Sequence, residues 1–138
     1  MAIEIEKKFL IKHMPVAQIT YSESIKQGYI ISNEKKVIRV REKGDKYFIT
    51  IKGNKIGISR FEFEYEIPKS DALELFENFC DIGSIEKTRH YVKHHAHLWE
   101  IDEFHNENEG LIVAEIELNS EDEEFKKAES SGGYAKQM

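Results

Sequence analysis

The chain has 138 residues, 40% hydrophobic and 33% charged, with 26 acids against 20 bases and a net charge of −6. That length fits one domain around one core, spanning residues 1–138. The acidic balance disfavours a nucleic-acid partner, a lone Cys80 excludes a disulfide framework, and no apolar run is long enough to span a membrane. With no apolar leader before the first charged strand, a cytoplasmic location is expected. Part of the acidity is local, in Glu121-Asp122-Glu123-Glu124, so concentrated cations elsewhere can still hold a small anion.

Residues 2–12 read as a first strand in which Glu4, Glu6 and Lys8 share one face and Ile3, Ile5 and Phe9 the other. Pro15 breaks the pattern, leaving His13–Ser22 as a loop or a single helical turn. Ile25–Ser32 alternates again, with Gln27 and Tyr29 on one face, and Ser32-Asn33-Glu34-Lys35 has turn chemistry. Strands follow over Lys36–Glu42, with Arg39 and Arg41 together, and Lys46–Lys52, with Thr50 and Lys52 together. A glycine at each end of Gly53–Gly57 predicts a hairpin with positive φ at both. Ile58–Ile67 is the longest alternation, setting Arg60, Glu62, Glu64 and Glu66 against Phe61, Phe63, Tyr65 and Ile67.

Pro68 ends that strand, and Ser70 is placed to cap a helix over Asp71–Asp81 with an apolar stripe of Leu73, Phe76, Phe79 and Cys80. Ile85–Lys93 carries Lys87, Arg89 and Tyr91 on one face; Leu98–Phe104 carries Glu100 and Asp102; Leu111–Asn119 carries Glu115 and Glu117. Ser120 and Glu123 form a capping box for a short C-terminal helix. Residues 129–138, rich in Ser and Gly, are expected to be a flexible tail. The fold class predicted is α+β, mainly β, with about eight antiparallel strands and one substantial helix.

The charged faces admit two readings. An antiparallel sheet with one wetted side alternates polar and apolar residues by default. Yet like charges cluster as same-face pairs on nearly every strand, only about 6.6 Å apart along the backbone, where a merely soluble face gains by mixing signs. If the strands close into a barrel with these faces inward, seven acids (Glu4, Glu6, Glu62, Glu64, Asp102, Glu115, Glu117) meet seven bases (Lys8, Arg39, Arg41, Lys52, Arg60, Lys87, Arg89). Such a lumen suits a polyanion carried with metal ions, the carboxylates holding metal and the cations phosphate. Physics alone leaves both readings open.

Glu4-x-Glu6-x-Lys8 resembles the signature of the CYTH superfamily, the triphosphate tunnel metalloenzymes. So do Gln27-Gly28-Tyr29, Arg39-Val40-Arg41, Thr50-Ile51-Lys52, Arg60-Phe61-Glu62-Phe63-Glu64, Lys87-Thr88-Arg89, Ile101-Asp102-Glu103-Phe104 and Ala114-Glu115-Ile116-Glu117, in order along the chain. The resemblance implies a closed eight-stranded antiparallel barrel and a small triphosphate-containing substrate bound with Mg²⁺ or Mn²⁺. It assigns Lys8, Arg39, Arg41, Lys52, Arg60, Lys87 and Arg89 to phosphate, and Glu4, Glu6, Glu62, Glu64, Asp102, Glu115 and Glu117 to metal. Tyr29 is implied to orient or deprotonate the attacking water.

The activity expected is hydrolysis of inorganic triphosphate, with adenylate cyclase or thiamine triphosphatase as the alternative enzymes and a polyphosphate-binding sensor as the non-enzymatic one. Oligomeric state is not legible. Family chains usually continue past the last Glu-x-Glu strand into a Trp- and Gly-containing segment and a final helix; the acidic run and Gly/Ser stretch here depart from that pattern. Outside the charged set, His94, His95 and His97 are expected to be solvated at a hairpin tip. Trp99 is expected to pack outside the tunnel against the helix, and Cys80 to be core.

Overall fold

A computed structural model describes residues 3–126 and 136–138. In chain order it contains β1 (Ile3–Leu10), β2 (Ile19–Ser32), β3 (Val37–Lys43), β4 (Lys46–Lys52), β5 (Ser59–Glu66), α1 (Lys69–Phe79), β6 (Ser84–His94), β7 (His97–Phe104), β8 (Ile112–Glu117) and the two-residue β9 (Lys136–Gln137). Single 3₁₀ turns lie at Val16–Gln18 and Asn106–Asn108. Strand neighbours run β5-β4-β3-β2-β6-β7-β8-β1-β9, and β5 also pairs with β1. The eight longer strands therefore close into an antiparallel barrel, which leaves few open sheet edges. Among the described residues no helix is long and apolar enough to cross a membrane.

The chain forms two compact units: one from residues up to Glu4 with Ser24–Glu86, the other from Ile5–Glu23 with Lys87 onward. In the first, Val40, Tyr47 and Ala72 form a buried cluster against which Ile30, Ile67, Leu75, Phe76 and Cys80 pack. Helix α1 thus uses Ala72, Leu75, Phe76 and Cys80 as its inner stripe, while Leu73 and Phe79, predicted to be part of it, are 51% and 56% exposed. The helix also starts two residues earlier than predicted. Pro68, not Ser70, occupies the N-cap with extended backbone, and its carbonyl accepts the Ala72 N–H at 3.1 Å. Gly28 on β2 is where this helix end comes closest: a Cβ there would stand 3.0 Å from Cys80 Cβ, Cys80 Sγ and Phe76 Cδ1.

At the β4–β5 connection only Gly57 takes positive φ, at 62°. Gly53, predicted to do so, instead donates its N–H to the Phe61 carbonyl at 2.9 Å. The outward side chains of β5 have no cover: Phe61, Phe63 and Tyr65 are 58%, 42% and 57% exposed.

In the second unit Phe9, Val92, Trp99, Ile101 and Ile116 are buried. Trp99 meets the Phe9 ring at a tilt, centroids 5.6 Å apart, and Phe125 edge-on at 5.8 Å, so β1 and the residues after β8, not the helix, are what it packs against. β2 begins at Ile19, six residues before its predicted start, because polar side chains tie this part down. Thr20 Oγ1 donates to the Tyr91 carbonyl at 3.1 Å and Ser22 Oγ lies 2.6 Å from His90 Nδ1. The hairpin tip is His95-Ala96, with His95 at φ 56°. His97 is not a solvated tip residue; its Nε2 sits 2.6 Å from Glu123.

No C-terminal helix follows β8 among the described residues; residues 119–122 form a turn. Glu123 accepts the N–H of Asn119, one residue before the predicted cap, at 2.5 Å, and Ser120 Oγ donates to Asp122. Glu123 is also engaged by His97, which fixes the turn. Of the predicted tail, residues 129–135 lie outside the described residues. The last three are ordered on β1: Phe9 faces Gln137, and the Met138 N–H donates to the Lys8 carbonyl at 2.9 Å.

Candidate functional site

Side-chain alternation and register together build one charged cluster in each unit. In the first unit Tyr29 stands opposite Arg39, Arg39 opposite Thr50, and Thr50 opposite Glu64, a row across four strands. Gln27 stands opposite Arg41, and Lys52 opposite Glu62. Gln27, Arg39, Arg41, Thr50 and Lys52 are all buried, although four of the five carry strongly polar or charged groups. Burial of this kind is tolerated only where partners compensate.

Most of the compensation is visible. Lys52 Nζ lies 3.2 Å from Glu4 Oε1 and 3.2 Å from Glu62 Oε2. Burial disfavours charge on Glu4, but Lys52, the hydrogen bond with Glu62 and Arg39 hold its carboxyl below the usual range. Glu62 is displaced upward, by burial and then by the bond to and charge of Glu4. The pair thus titrates together, Glu4 displaced downward and Glu62 upward. Arg41 donates from Nε at 2.9 Å and Nη2 at 2.7 Å to Gln27 Oε1, and Gln27 Nε2 donates to Tyr29 Oη at 2.6 Å. Thr50 Oγ1 donates to Glu64 at 2.8 Å. Arg60 turns to the backbone, donating from Nε and Nη2 to the Gly53 carbonyl at 3.1 and 2.9 Å.

Arg39 is the exception. It is 9% exposed, its Nε is buried with no hydrogen-bond partner, and it makes no ion pair among the described residues. A guanidinium has five N–H donors and cannot shed its proton; the charge of Arg39 is felt by Glu4, while its Nε is left without a hydrogen-bond acceptor.

In the second unit Asp102, 0% exposed, is the hub. It accepts from Lys87 Nζ at 2.6 Å and from Arg89 Nε and Nη2 at 2.8 and 2.9 Å. Burial would raise its pKa, but the hydrogen bonds from Arg89 and the charges of Lys87 and Arg89 bring it down to about 2. Arg89 also donates to Glu100 at 3.0 Å and approaches Glu115 at 3.5 Å. Lys8 lies between Glu6 at 3.7 Å and Glu115 at 3.6 Å. Glu115 is pushed up by burial and by Asp102, yet Lys8, Arg89 and Lys87 leave it below the ordinary value. Glu6 stands opposite Glu117, which is exposed. Beyond this set, Tyr91 donates to Glu23 and stacks on Tyr21 at 5.6 Å.

The predicted set divides between the two units: Glu4, Tyr29, Arg39, Arg41, Lys52, Arg60, Glu62 and Glu64 belong to the first, with Arg60 turned to the Gly53 carbonyl, and Glu6, Lys8, Lys87, Arg89, Asp102, Glu115 and the exposed Glu117 to the second. Two residues outside that set join the same networks. Gln27 is 3% exposed and links Arg41 to Tyr29; Glu100 holds Arg89. Face-sharing with Tyr29 and with Asp102 was the signal for each. Among the described residues no three His, Cys, Asp or Glu side chains converge as a ready-made metal cage. The Glu4–Glu62 pair has the donor chemistry that Mg²⁺ uses, since this ion takes one or two carboxylates and completes its shell with water and substrate phosphate.

Comparison with known proteins gives a consistent picture. The CYTH domain model matches residues 2–134. An inorganic triphosphatase of Acetivibrio thermocellus is 44% identical over 132 residues, covering 96% of this chain and 85% of that protein. The crystal structure of the inorganic triphosphatase NE1496 superposes with a TM-score of 0.60 at 30% identity, covering 88% of this chain and 77% of that one. A conserved hypothetical protein from Pyrococcus furiosus superposes with a TM-score of 0.67 at 25% identity, covering 86% and 80%.

Proposed function

The chain belongs to the CYTH domain family, and from that premise we propose that it is a metal-dependent hydrolase of inorganic triphosphate. The observation that carries this reading is Arg39, a buried guanidinium whose Nε has no partner. A buried, charged N–H donor without an acceptor is a standing cost that an incoming anion relieves. Phosphate oxygens match the planar fork of a guanidinium better than any neutral ligand does. The inorganic triphosphatase of Acetivibrio thermocellus, at 44% identity, supports a triphosphate as that anion.

In the first cluster Arg39, Arg41 and Lys52 bind and orient phosphate oxygens, and Tyr29, opposite Arg39, lies beside the same row. Four bases, with Arg60, stand there against three acids, Glu4, Glu62 and Glu64. Glu4 and Glu62 are the residues we assign to hold Mg²⁺ or Mn²⁺. When bound, such an ion neutralises phosphate charge and lowers the pKa of a bound water. In the second cluster Lys8, Lys87 and Arg89 are assigned to phosphate, and Glu6, Glu115 and Glu117 to metal. Asp102 serves there first through the two cations it fixes. Preorganised charge is the main contribution a protein makes to phosphoryl transfer. A cytoplasmic location remains part of this proposal.

The test is incubation with tripolyphosphate, ATP and thiamine triphosphate, each with Mg²⁺ or Mn²⁺. Orthophosphate release from tripolyphosphate in preference to the two organic triphosphates is expected. Cyclic AMP from ATP, or tight binding of tripolyphosphate without turnover, would replace this reading by a cyclase or a sensor.

A further inference from the structure

The Gln27 amide sits between two groups of unequal freedom. Arg41 Nε and Nη2 only donate, so the atom of Gln27 that faces them must be its oxygen. The amide nitrogen is thereby turned to Tyr29 and donates to Oη at 2.6 Å. Because Tyr29 Oη accepts that bond, the hydroxyl proton of Tyr29 cannot point at Gln27. Among the described residues it has no acceptor of its own. In the β2–β3 register Tyr29 stands opposite Arg39, whose Nε has no hydrogen-bond partner.

We propose that Gln27 is a positioning residue that fixes the polarity of this chain of bonds, so that Tyr29 meets the substrate as a hydrogen-bond donor to a phosphate oxygen rather than as the base for water. The inference rests on the proposed phosphate-binding role of the first cluster and adds the direction of its hydrogen bonds. Gln27 is suited to the task because it is 3% exposed, so water does not compete for either end of its amide. A carboxylate at this position would reverse the polarity. Accepting from Arg41 and Tyr29 alike, it would draw the tyrosine proton away from the phosphate.

The test is a double-mutant cycle on tripolyphosphate affinity, measured calorimetrically in EDTA so that no turnover intervenes. Tyr29→Phe in the wild-type background removes a bond to a charged acceptor and should weaken binding about tenfold. In the Gln27→Glu background the tyrosine proton is already diverted, and Tyr29→Phe should change affinity by about twofold at most. Any direct effect of Gln27→Glu on Arg41 is common to both arms of that comparison and cancels. Gln27→Glu is isosteric and gains an ion pair with Arg41, and a cooperative melt checks that it folds. A second measurement does not depend on that variant: in wild type with bound tripolyphosphate, Tyr29 Oη–H should show a slowly exchanging, downfield proton resonance that Tyr29→Phe removes.

Equal losses in the two backgrounds, or no such resonance, would overturn the inference while leaving triphosphate binding intact. Binding without hydrolysis in the metal-supplemented assay would instead remove the proposed function and leave this inference standing. Failure of the wild type to bind tripolyphosphate would remove both.

Discussion

Arg89 and Asp102 are register partners on β6 and β7, and their side chains form a two-pronged pair, Nε to Oδ1 at 2.8 Å and Nη2 to Oδ2 at 2.9 Å. Lys87 closes on the same carboxylate at 2.6 Å. With Asp102 wholly buried, removing its charge leaves two buried cations short of a partner. Asp102→Asn should therefore destabilise the fold by about 3–5 kcal/mol. Denaturant unfolding checks this; a loss below about 1 kcal/mol would mean that the pair is better solvated than its burial implies.

The same residue predicts an acid window. Its folded pKa is about 2 against an ordinary 3.8, so the unfolded state binds the proton more tightly. A carboxyl lowered on folding contributes stability that is full above about pH 4 and lost as pH falls toward 2, about 2 kcal/mol in all. Unfolding free energy followed from pH 5 to 2 should fall steeply in wild type and less steeply in Asp102→Asn.

Glu62 should show the opposite sign. Its carboxyl is raised by burial and by Glu4, so its ionisation works against the fold as pH rises through that value. Glu62→Gln should stabilise the metal-free protein at pH 7.5 by some tenths to about 1 kcal/mol, the range for like charges in contact. The gain should vanish at acid pH, where Glu62 carries its own proton. Melting in EDTA at the two pH values reads this directly, and destabilisation at pH 7.5 would show that the Lys52 contact outweighs the repulsion.

Gly28 is required by close approach and not by backbone conformation. The Cβ of alanine would meet Cys80 and Phe76 at 3.0 Å, so those side chains must give by a few tenths of an ångström. Overpacking of this kind costs about 1–3 kcal/mol. Gly28→Ala should lose that much, and Gly28→Ala with Cys80→Ala should recover part of it; no recovery would place the strain elsewhere.

Much of this molecule is legible in the sequence because its barrel strands alternate charged and apolar residues with period two. Arg39/Arg41, Lys87/Arg89 and Glu115/Glu117 each declare a shared face, and the register then gathers them. What the sequence hides has local causes. At the start of β2 Glu23 interrupts the face that Ile19 and Tyr21 share, Thr20, Ser22 and Ser24 make the other polar, and side-chain bonds such as Ser22 to His90 hold the segment. Ser120 and Glu123 have the spacing of a helix cap, yet His97, distant in sequence, captures Glu123 and a turn results. Leu73 and Phe79 match the helical period as well as Ala72 and Leu75 do; only the direction of docking onto Val40 and Tyr47 separates them. Alternation also cannot reveal that Arg39 makes no ion pair among the described residues while Lys52 makes two, since both read as buried-face cations.

The central claim is that Arg39 is a buried cation kept for phosphate, and one comparison tests it most directly: thermal melting of wild type and Arg39→Met, each with and without tripolyphosphate. Removal of a buried charge whose Nε has no hydrogen-bond partner, and whose compensation is the attraction of Glu4, should change the stability of the free protein little. Tripolyphosphate should raise the melting temperature of wild type by mass action, and should raise that of Arg39→Met far less. An Arg39→Met protein that is markedly destabilised when free, yet stabilised by tripolyphosphate as much as wild type, would contradict the account.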